Sequence, residues 1–491
     1  MTTMEAIGLL DRDVWEKNIL VGDYRPGGGG TCDVIEPATG EVLTRVGIAS
    51  ASDVADAAKT AAAAQKAWAA TPPRERASVF LRAAAIFQEH FDELALFIAR
   101  EKGGIIPIGQ HEVREAIMIC QLAAAMPLQP QGYVLPSTPE RMSYAQRVPL
   151  GVVGIISPFN FPLILTIRAA APALAAGNAV VIKPDPRTPV SGGFMIARAF
   201  EAAGLPKGLL SVVPGGIEAG EALVTDPRVP MISFTGSTAV GRRIGELAGK
   251  NLKKLSLELG GSNALIILDD ADLDLAASNA AWGAYLHQGQ ICMASNRIIV
   301  HQSIADEIAA RLVAKATHLP VGNGASGQVA LGPLIDARQV QRVHAIVQDS
   351  VKAGATLAAG GSYEDLFYQP TVLTGVKPGM RVYDEEVFGP VANIITFETD
   401  QEAIELANNT QGSLAAAVIS QSVGRALAIG RQLNCGMVHI NDQTVNDECV
   451  NPFGGPGAAG NGTSVGGMAD WEEYTQWQWI TVKNSPPAFP F

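Results

Sequence analysis

At 491 residues, 47% of them hydrophobic, the chain is too long for one core and has ample apolar content to fill two or more lobes. A formal charge of -12, from 48 acidic against 36 basic residues, excludes a sequence-independent grip on nucleic acid or on anionic membrane, since both need basic faces. Small molecules are the expected partners. The cysteines, Cys32, Cys120, Cys292, Cys435 and Cys449, form neither a Cys-x-x-Cys pair nor a close Cys/His cluster, which points away from a zinc site and from a disulfide framework. A reducing cytoplasm suits them. Residues 1–13 are acidic where a secretory signal would be basic, and their apolar run is short, so no export signal is expected.

From the amino end, residues 1–50 mix short β-like runs with turns, Gly27 to Gly30 among them, and read as an opening flap on a first lobe. Alanine-rich apolar spacing predicts packing helices over 51–102, and a further helix is expected over 112–125. Gly132-Tyr-Val-Leu and Ser143-Tyr-Ala-Gln-Arg-Val read as a strand pair. From Gly151 the pattern alternates, with strands at 152–157, 179–183, 210–213 and 231–234 and helices at 163–176, 190–203 and 238–248. Such alternation predicts an α/β lobe, a parallel sheet wrapped by helices. After Gly260 a second series follows, with strands at 264–268, 297–300 and 392–397 and helices at 304–316 and 337–353. The tail, Trp477-Gln-Trp-Ile-Thr-Val-Lys, alternates as an edge strand does until Pro486, Pro487 and Pro490 stop it. No repeat or low-complexity linker separates these series, so the lobes should pack closely.

One stretch invites a membrane reading. Residues 149–167 carry no charge and approach the length of a bilayer span. Gly151, Gly154, Pro158, Asn160 and Pro162 interrupt them, and lipid would leave the interrupted backbone unsatisfied. A doubly buried strand followed by a loop gives the same hydropathy and is the expected structure.

Two stretches carry an acid and a thiol. Leu257-Glu258-Leu259-Gly260-Gly261 sets a carboxylate against a glycine pair, and His287-Gln-Gly-Gln-Ile-Cys292 sets a thiol after a polar turn. Alone, the first is ordinarily a capped or solvated side chain and the second a small buried hydrophobe. Together they are the minimum equipment for covalent catalysis followed by hydrolysis. Gly236-Ser237-Thr238-Ala239-Val240-Gly241 follows an apolar strand and opens a helix, whose free N–H groups attract a phosphate, although a capped helix is the ordinary reading. Gly455-Pro-Gly457-Ala-Ala-Gly460 fits the dinucleotide fingerprint letter for letter, yet the required strand and helix do not flank it, so a flexible loop is expected. Lys183 ends a strand where α/β sheets present ligand groups.

With Pro158-Phe-Asn-Phe-Pro162, Lys183-Pro184, Glu386-Val-Phe-Gly-Pro390 and Pro452-Phe-Gly-Gly455, these motifs in this order resemble the aldehyde dehydrogenase superfamily over nearly the whole chain. The resemblance implies a Rossmann-type cofactor lobe (1–130 and 150–257, with 440–470 returning to pack on it), an α/β catalytic lobe (258–439) and a small β oligomerisation extension (131–149 and 471–491). It implies a homodimer or dimer of dimers in the cytoplasm. It also implies NAD(P)-dependent oxidation of an aldehyde without a metal. Cys292 would attack the aldehyde carbon, the Asn160 amide and the Cys292 N–H would hold the oxyanion, and Glu258 would activate the water that hydrolyses the thioester.

The family positions for the cofactor are Ile156, Ser157, Phe159, Lys183, Gly216, Phe234, Gly236, Ser237, Val240 and Leu259, with Glu386 and Phe388 at the nicotinamide end and Gln339 near that ribose. The family usually continues Lys-Pro-Ser-Glu, whose Glu takes the adenosine ribose; here Lys183-Pro184-Asp185-Pro186 is followed by Arg187. Losing that carboxylate removes the repulsion that would exclude a 2′-phosphate. Lys183 and Arg187 are candidates to pair with one, so NADP is expected beside NAD.

His439-Ile-Asn-Asp-Gln-Thr-Val-Asn-Asp-Glu448, the Lys-Pro-Asp-Pro variant and Gly460-Asn-Gly-Thr look most like the benzaldehyde and vanillin dehydrogenase branch. Its pocket positions are Phe161, Ile164, Leu165, Arg168, Ile291, Met293, Val445 and Phe453, mostly large and apolar. They would bury an aromatic ring, though each is as readily a core residue. Arg168 is the only charge between Arg147 and Lys183. Pairing or snorkelling is its leading account, and contact with a ring substituent such as a phenolic oxygen is the sharper one. The alternatives are an aliphatic aldehyde dehydrogenase, a coenzyme A-acylating relative, a cofactor-free esterase and a non-catalytic structural protein. Retention of Asn160, Glu258 and Cys292 disfavours the last, and Glu258 favours water over coenzyme A as acyl acceptor.

Overall fold

The computed structural model describes residues 8–491, so the start of the segment read for export signals lies outside the described residues. Short runs rich in β-branched residues form strands buried on both faces, Val152–Ile156 and Ala179–Lys183, the latter ending in a lysine, among them. These two lie inside a seven-stranded sheet ordered Lys254–Leu259, Met231–Gly236, Val152–Ile156, Ala179–Lys183, Leu210–Val212, Asn18–Val21, Asp23–Pro26. The first five are parallel. The last two form a hairpin added antiparallel, with Leu20 opposite Val212. Part of the expected amino-terminal flap therefore extends the sheet.

The order of this sheet turns back between Val152–Ile156 and Met231–Gly236, which are neighbours in space but far apart in sequence. A crevice opens beyond the carboxyl ends at such a switch point. Ile156, Lys183, Gly236 and Leu259, all strand ends, face that edge. The second sheet also has seven strands, ordered Thr356–Ala359, Thr371–Thr374, Val391–Phe397, Arg297–His301, Ala264–Ile267, Ala415–Ile419, Met437–Ile440. Only the first pair is antiparallel.

Helices cover the sheets. Ala51–Ala70 begins in a capping box between Ser50 and Asp53. Ile106–Ala125 starts six residues before the expected 112–125. Pro162–Ala175 opens with proline at its first position, where the missing N–H costs nothing. Gly132–Val134, Met142–Pro149 and Thr475–Val482 make a separate three-stranded sheet, the last two antiparallel over eight residues. No helix among the described residues is long and apolar enough to cross a membrane. Residues 149–167 form the expected buried strand and loop, continuing into a helix.

The rejected fingerprint holds only a short turn at Gly457–Ala459. It is not loose, which corrects the expectation of flexibility. Gly460 bridges to Glu258, and the Asn461 carboxamide accepts from Leu257 N at 3.0 Å and donates to Leu255 O at 2.7 Å. The loop is pinned along the strand that carries Glu258.

Candidate active site

A cavity of about 800 Å³ fills the crevice at the switch point. Its walls contain Asn160, Glu258 and Cys292 together with every residue expected to hold the cofactor, from Ile156, Ser157 and Phe159 through Lys183, Gly216, Phe234, Gly236, Ser237, Val240 and Leu259 to Glu386 and Phe388. The parallel strands of the first sheet release Ile156, Lys183, Gly236 and Leu259 at one edge, and Cys292, Glu386 and Phe388, from loops of the chain that forms the second sheet, close the cavity from the opposite side. Among the described residues, no group of three or more His, Cys, Asp or Glu side chains is placed to hold a metal.

At one end the helix Thr238–Lys250 points its start into the cavity, with the Ser237 hydroxyl accepting from Val240 N at 3.5 Å. A helix of this length presents free N–H groups and a positive dipole end, the arrangement that receives a phosphate. Ile217, 83% exposed, lines the same region and was missed; an apolar residue after two glycines carries no distinctive signal. Lys183 is buried, donates to the Pro184 carbonyl at 3.2 Å, and burial lowers its pKa. Arg187 corrects the sequence reading. Its guanidinium is engaged with both oxygens of Asp185 and with Asp336 at 2.9 Å, and it lies 4.2 Å over the Phe159 ring. It is already neutralised and is not a free partner for a 2′-phosphate.

At the other end Phe388 takes a left-handed backbone (φ 53°) and sits edge-on to Phe159 at 5.9 Å. Gln339 donates to the Phe388 carbonyl at 2.7 Å, so it holds this strained residue from behind while lining the cavity. Arg342, another missed residue, braces the segment by donating to the Glu386 and Val387 carbonyls at 2.7 and 2.9 Å. The Glu386 carboxylate lies against Gly260, where any Cβ would overlap it, and burial pushes its pKa up to about 7.

Cys292 follows a turn in which His287 and Gln288 both adopt left-handed backbone, at a cost of about 1–2 kcal/mol each. The Gln288 amide offsets this by donating to the carbonyls of Gly103 (2.8 Å) and Pro333 (2.9 Å). Asn263 donates to the carbonyls of Cys292 (2.7 Å) and Ala294 (3.0 Å), fixing the chain on the far side of the thiol. Burial raises the thiol pKa, helped by the negative charges of Glu386 and Glu258. Asn160 donates its side-chain amide to the Gln290 carbonyl at 2.9 Å, which ties its loop to the Cys292 turn.

Glu258 is buried, and neither carboxylate oxygen finds a hydrogen-bond partner among the described residues. Burial raises its pKa well above the ordinary value, with Arg168 opposing the shift. Arg168 itself is paired: its guanidinium grips Asp447 at 2.6 and 2.9 Å and lies 4.8 Å from the Phe453 ring centroid. It does not line the cavity, so the pairing account describes its surroundings and the ring-contact account does not.

Of the other expected pocket residues, Leu165 lines the cavity. Ile291, Met293 and Phe453 are buried in the hydrophobic cluster that packs on the first sheet, and Phe161 and Val445 pack against it. Ile164 is buried, and the Phe161 ring lies 5.1 Å from that of His287. A thiol, a carboxamide donor and a buried carboxylate without a partner among the described residues therefore share one chamber with the start of a helix, which is equipment for addition to a carbonyl and hydrolysis of the product.

The aldehyde dehydrogenase family matches residues 24–480. The chain is 52% identical over 486 residues to a vanillin dehydrogenase of Amycolatopsis sp., covering 99% of this chain and 100% of that protein. It is 48% identical over 482 residues to a benzaldehyde dehydrogenase of Pseudomonas putida named for NAD+, covering 98% and 99%. Among solved structures, betaine aldehyde dehydrogenase from Staphylococcus aureus in complex with NAD+ matches with a TM-score of 0.94 at 31% identity, over 98% of this chain and 97% of that one. With family, relatives and architecture agreeing along nearly its full length, the chain belongs to the aldehyde dehydrogenase family.

Proposed function

We propose that this enzyme oxidises an aromatic aldehyde, benzaldehyde or a vanillin-like analogue, to the carboxylic acid with NAD. The observation that carries the reading is the single chamber in which Cys292, Asn160 and Glu258 stand beside the helix start at Ser237. The aromatic substrate rests on the vanillin and benzaldehyde dehydrogenases at 52% and 48% identity.

The cofactor fits the residues present. The start of Thr238–Lys250 would receive the pyrophosphate, Lys183 and Gly216 would meet the adenosine side, and Glu386 and Phe388 the nicotinamide side. When bound, it supplies the hydride acceptor. Cys292, as thiolate, adds to the aldehyde carbon, and the Asn160 amide with the Cys292 N–H holds the oxyanion. A Cys292 thioester results from the oxidation. Glu258 then takes a proton from water, whose oxygen attacks the thioester and releases the acid and the thiol.

NADP is accepted beside NAD in this reading. Pro186 stands where the family's ribose-binding carboxylate would be, Asp185 is neutralised by Arg187, and the Lys183 ammonium lines the cavity. The enzyme works in the cytoplasm as a homodimer or dimer of dimers. The three-stranded sheet supports the assembly, because it leaves Tyr133, Val134 and Trp479 at 66%, 88% and 63% exposure.

The test is reduced-cofactor formation on benzaldehyde, vanillin and a short aliphatic aldehyde, each with NAD and with NADP, with Cys292→Ala as control. Faster turnover of the aromatic aldehydes, lost in the control, is expected. Faster turnover of the aliphatic aldehyde would discard the aromatic assignment, and no oxidation of any aldehyde would discard the reaction.

A further inference from the structure

Behind Asn160 lies a buried polar cluster that touches none of the reacting atoms. Lys102 and Glu112 are both fully buried and paired at 2.5 Å. Such a pair is a weak source of stability, since desolvation offsets most of its attraction. Its placement is more informative. Lys102 Nζ also donates to the Asn160 carbonyl at 3.1 Å and lies 4.4 Å from the centroid of the Phe161 ring. The second oxygen of Glu112 accepts from the N–H groups of Leu163 (3.0 Å) and Ile164 (3.2 Å), in the first turn of the following helix. From the opposite wall, His287 Nε2 donates to the same Asn160 carbonyl at 2.9 Å. The left-handed turn that carries His287 is bolted through Gln288 to Gly103, the residue after Lys102.

We propose that Lys102 and His287 are positioning residues for the oxyanion: together they clamp the Asn160 carbonyl and so aim the Asn160 side-chain amide at the oxygen of the carbonyl that Cys292 attacks. The inference rests on the reaction proposed above. Two donors on one carbonyl fix the peptide plane and with it the direction in which the side chain leaves the backbone. An oxyanion donor gains its effect by standing in place before the charge forms. A misplacement of about 1 Å costs roughly 10²-fold in rate, so a clamp on the backbone acts directly on turnover.

A double-mutant cycle separates this role from simple packing. Lys102→Met paired with Glu112→Gln removes both buried charges, and His287→Phe removes the second donor. Each is made in wild-type and in Asn160→Ala backgrounds. Two readouts are taken, NAD-dependent oxidation of benzaldehyde and cofactor-free cleavage of 4-nitrophenyl acetate, which also forms an oxyanion when Cys292 attacks.

Each change is expected to lower kcat roughly 10- to 100-fold while leaving half-saturation by NAD unchanged. In the Asn160→Ala background it should do nothing further, because the amide it aims is gone. Losses that multiply with Asn160→Ala in either arm would overturn the proposal. Should the Lys102 variant fail to fold, the His287 arm decides alone. A wild-type enzyme that cleaves the ester but oxidises no aldehyde would count against the proposed function and leave the ester cycle to judge the clamp.

Discussion

The two groups proposed to act on either side of the reacting carbon are held in opposite ways. Asn160 is gripped through both its ends, with Lys102 and His287 on its carbonyl and Gln290 accepting from its amide. Glu258, at the end of a strand across the same cavity, is bonded by its backbone and free at its carboxylate. The difference matches the work. A donor to a developing oxyanion gains from rigidity, whereas a base that must take up and release a proton gains from having no fixed partner to compete for it.

Removing the free group should give the largest and most selective loss. Glu258→Gln is expected to slow hydrolysis roughly 10²- to 10⁴-fold while sparing the first oxidation, so reduced cofactor forms in a burst followed by slow turnover. Removing the gripped one should strike both half-reactions. Asn160→Ala is expected to lower them by about 10²- to 10³-fold, measured as burst rate and steady rate together. If Asn160→Ala spared the burst, the division of labour would be wrong.

The comparison sharpens with pH. Because burial raises the Glu258 pKa, its base form is gained only as pH climbs above the ordinary carboxylate range, and hydrolysis should rise through that higher midpoint. Arg168 opposes the shift, so Arg168→Leu should move the midpoint to still higher pH. Leaving Asp447 unpaired, with its side chain partly open to solvent, costs about 1–3 kcal/mol, which Asp447→Asn in the same chain should relieve in a thermal melt. Losses should be equal on benzaldehyde and its hydroxylated analogues; a loss confined to the hydroxylated ones would restore the ring contact. The smallest effect belongs to Gln339→Ala. Losing its bond to the Phe388 carbonyl is worth about 1 kcal/mol, seen as weaker NAD binding by titration.

Local pattern carried much of the fold. Val152–Ile156 and Ala179–Lys183 were legible because doubly buried strands read as short apolar runs rich in β-branched residues and bounded by turn signals. Ala415–Ile419 was not, since Ala-Ala-Ala-Val-Ile is as good a helix start as a buried strand, and Leu273–Tyr285 is alanine-rich with little contrast between its faces. The site divides the same way. Asn160, Glu258 and Cys292 stand in short motifs that read locally. What holds them does not: Lys102 and Glu112 look like surface charges on two helices until tertiary packing closes over both, and Arg168 finds Asp447 across 279 residues. Buried charge pairs have no local periodicity to betray them.

The most direct test is rapid mixing of Glu258→Gln with benzaldehyde and NAD, followed by intact-mass measurement and peptide mapping around Cys292. One equivalent of reduced cofactor per site, with an acyl group retained on Cys292, is the predicted result. Steady turnover at the wild-type rate with Cys292 unmodified would contradict it, because hydrolysis would then be running without the base proposed for it.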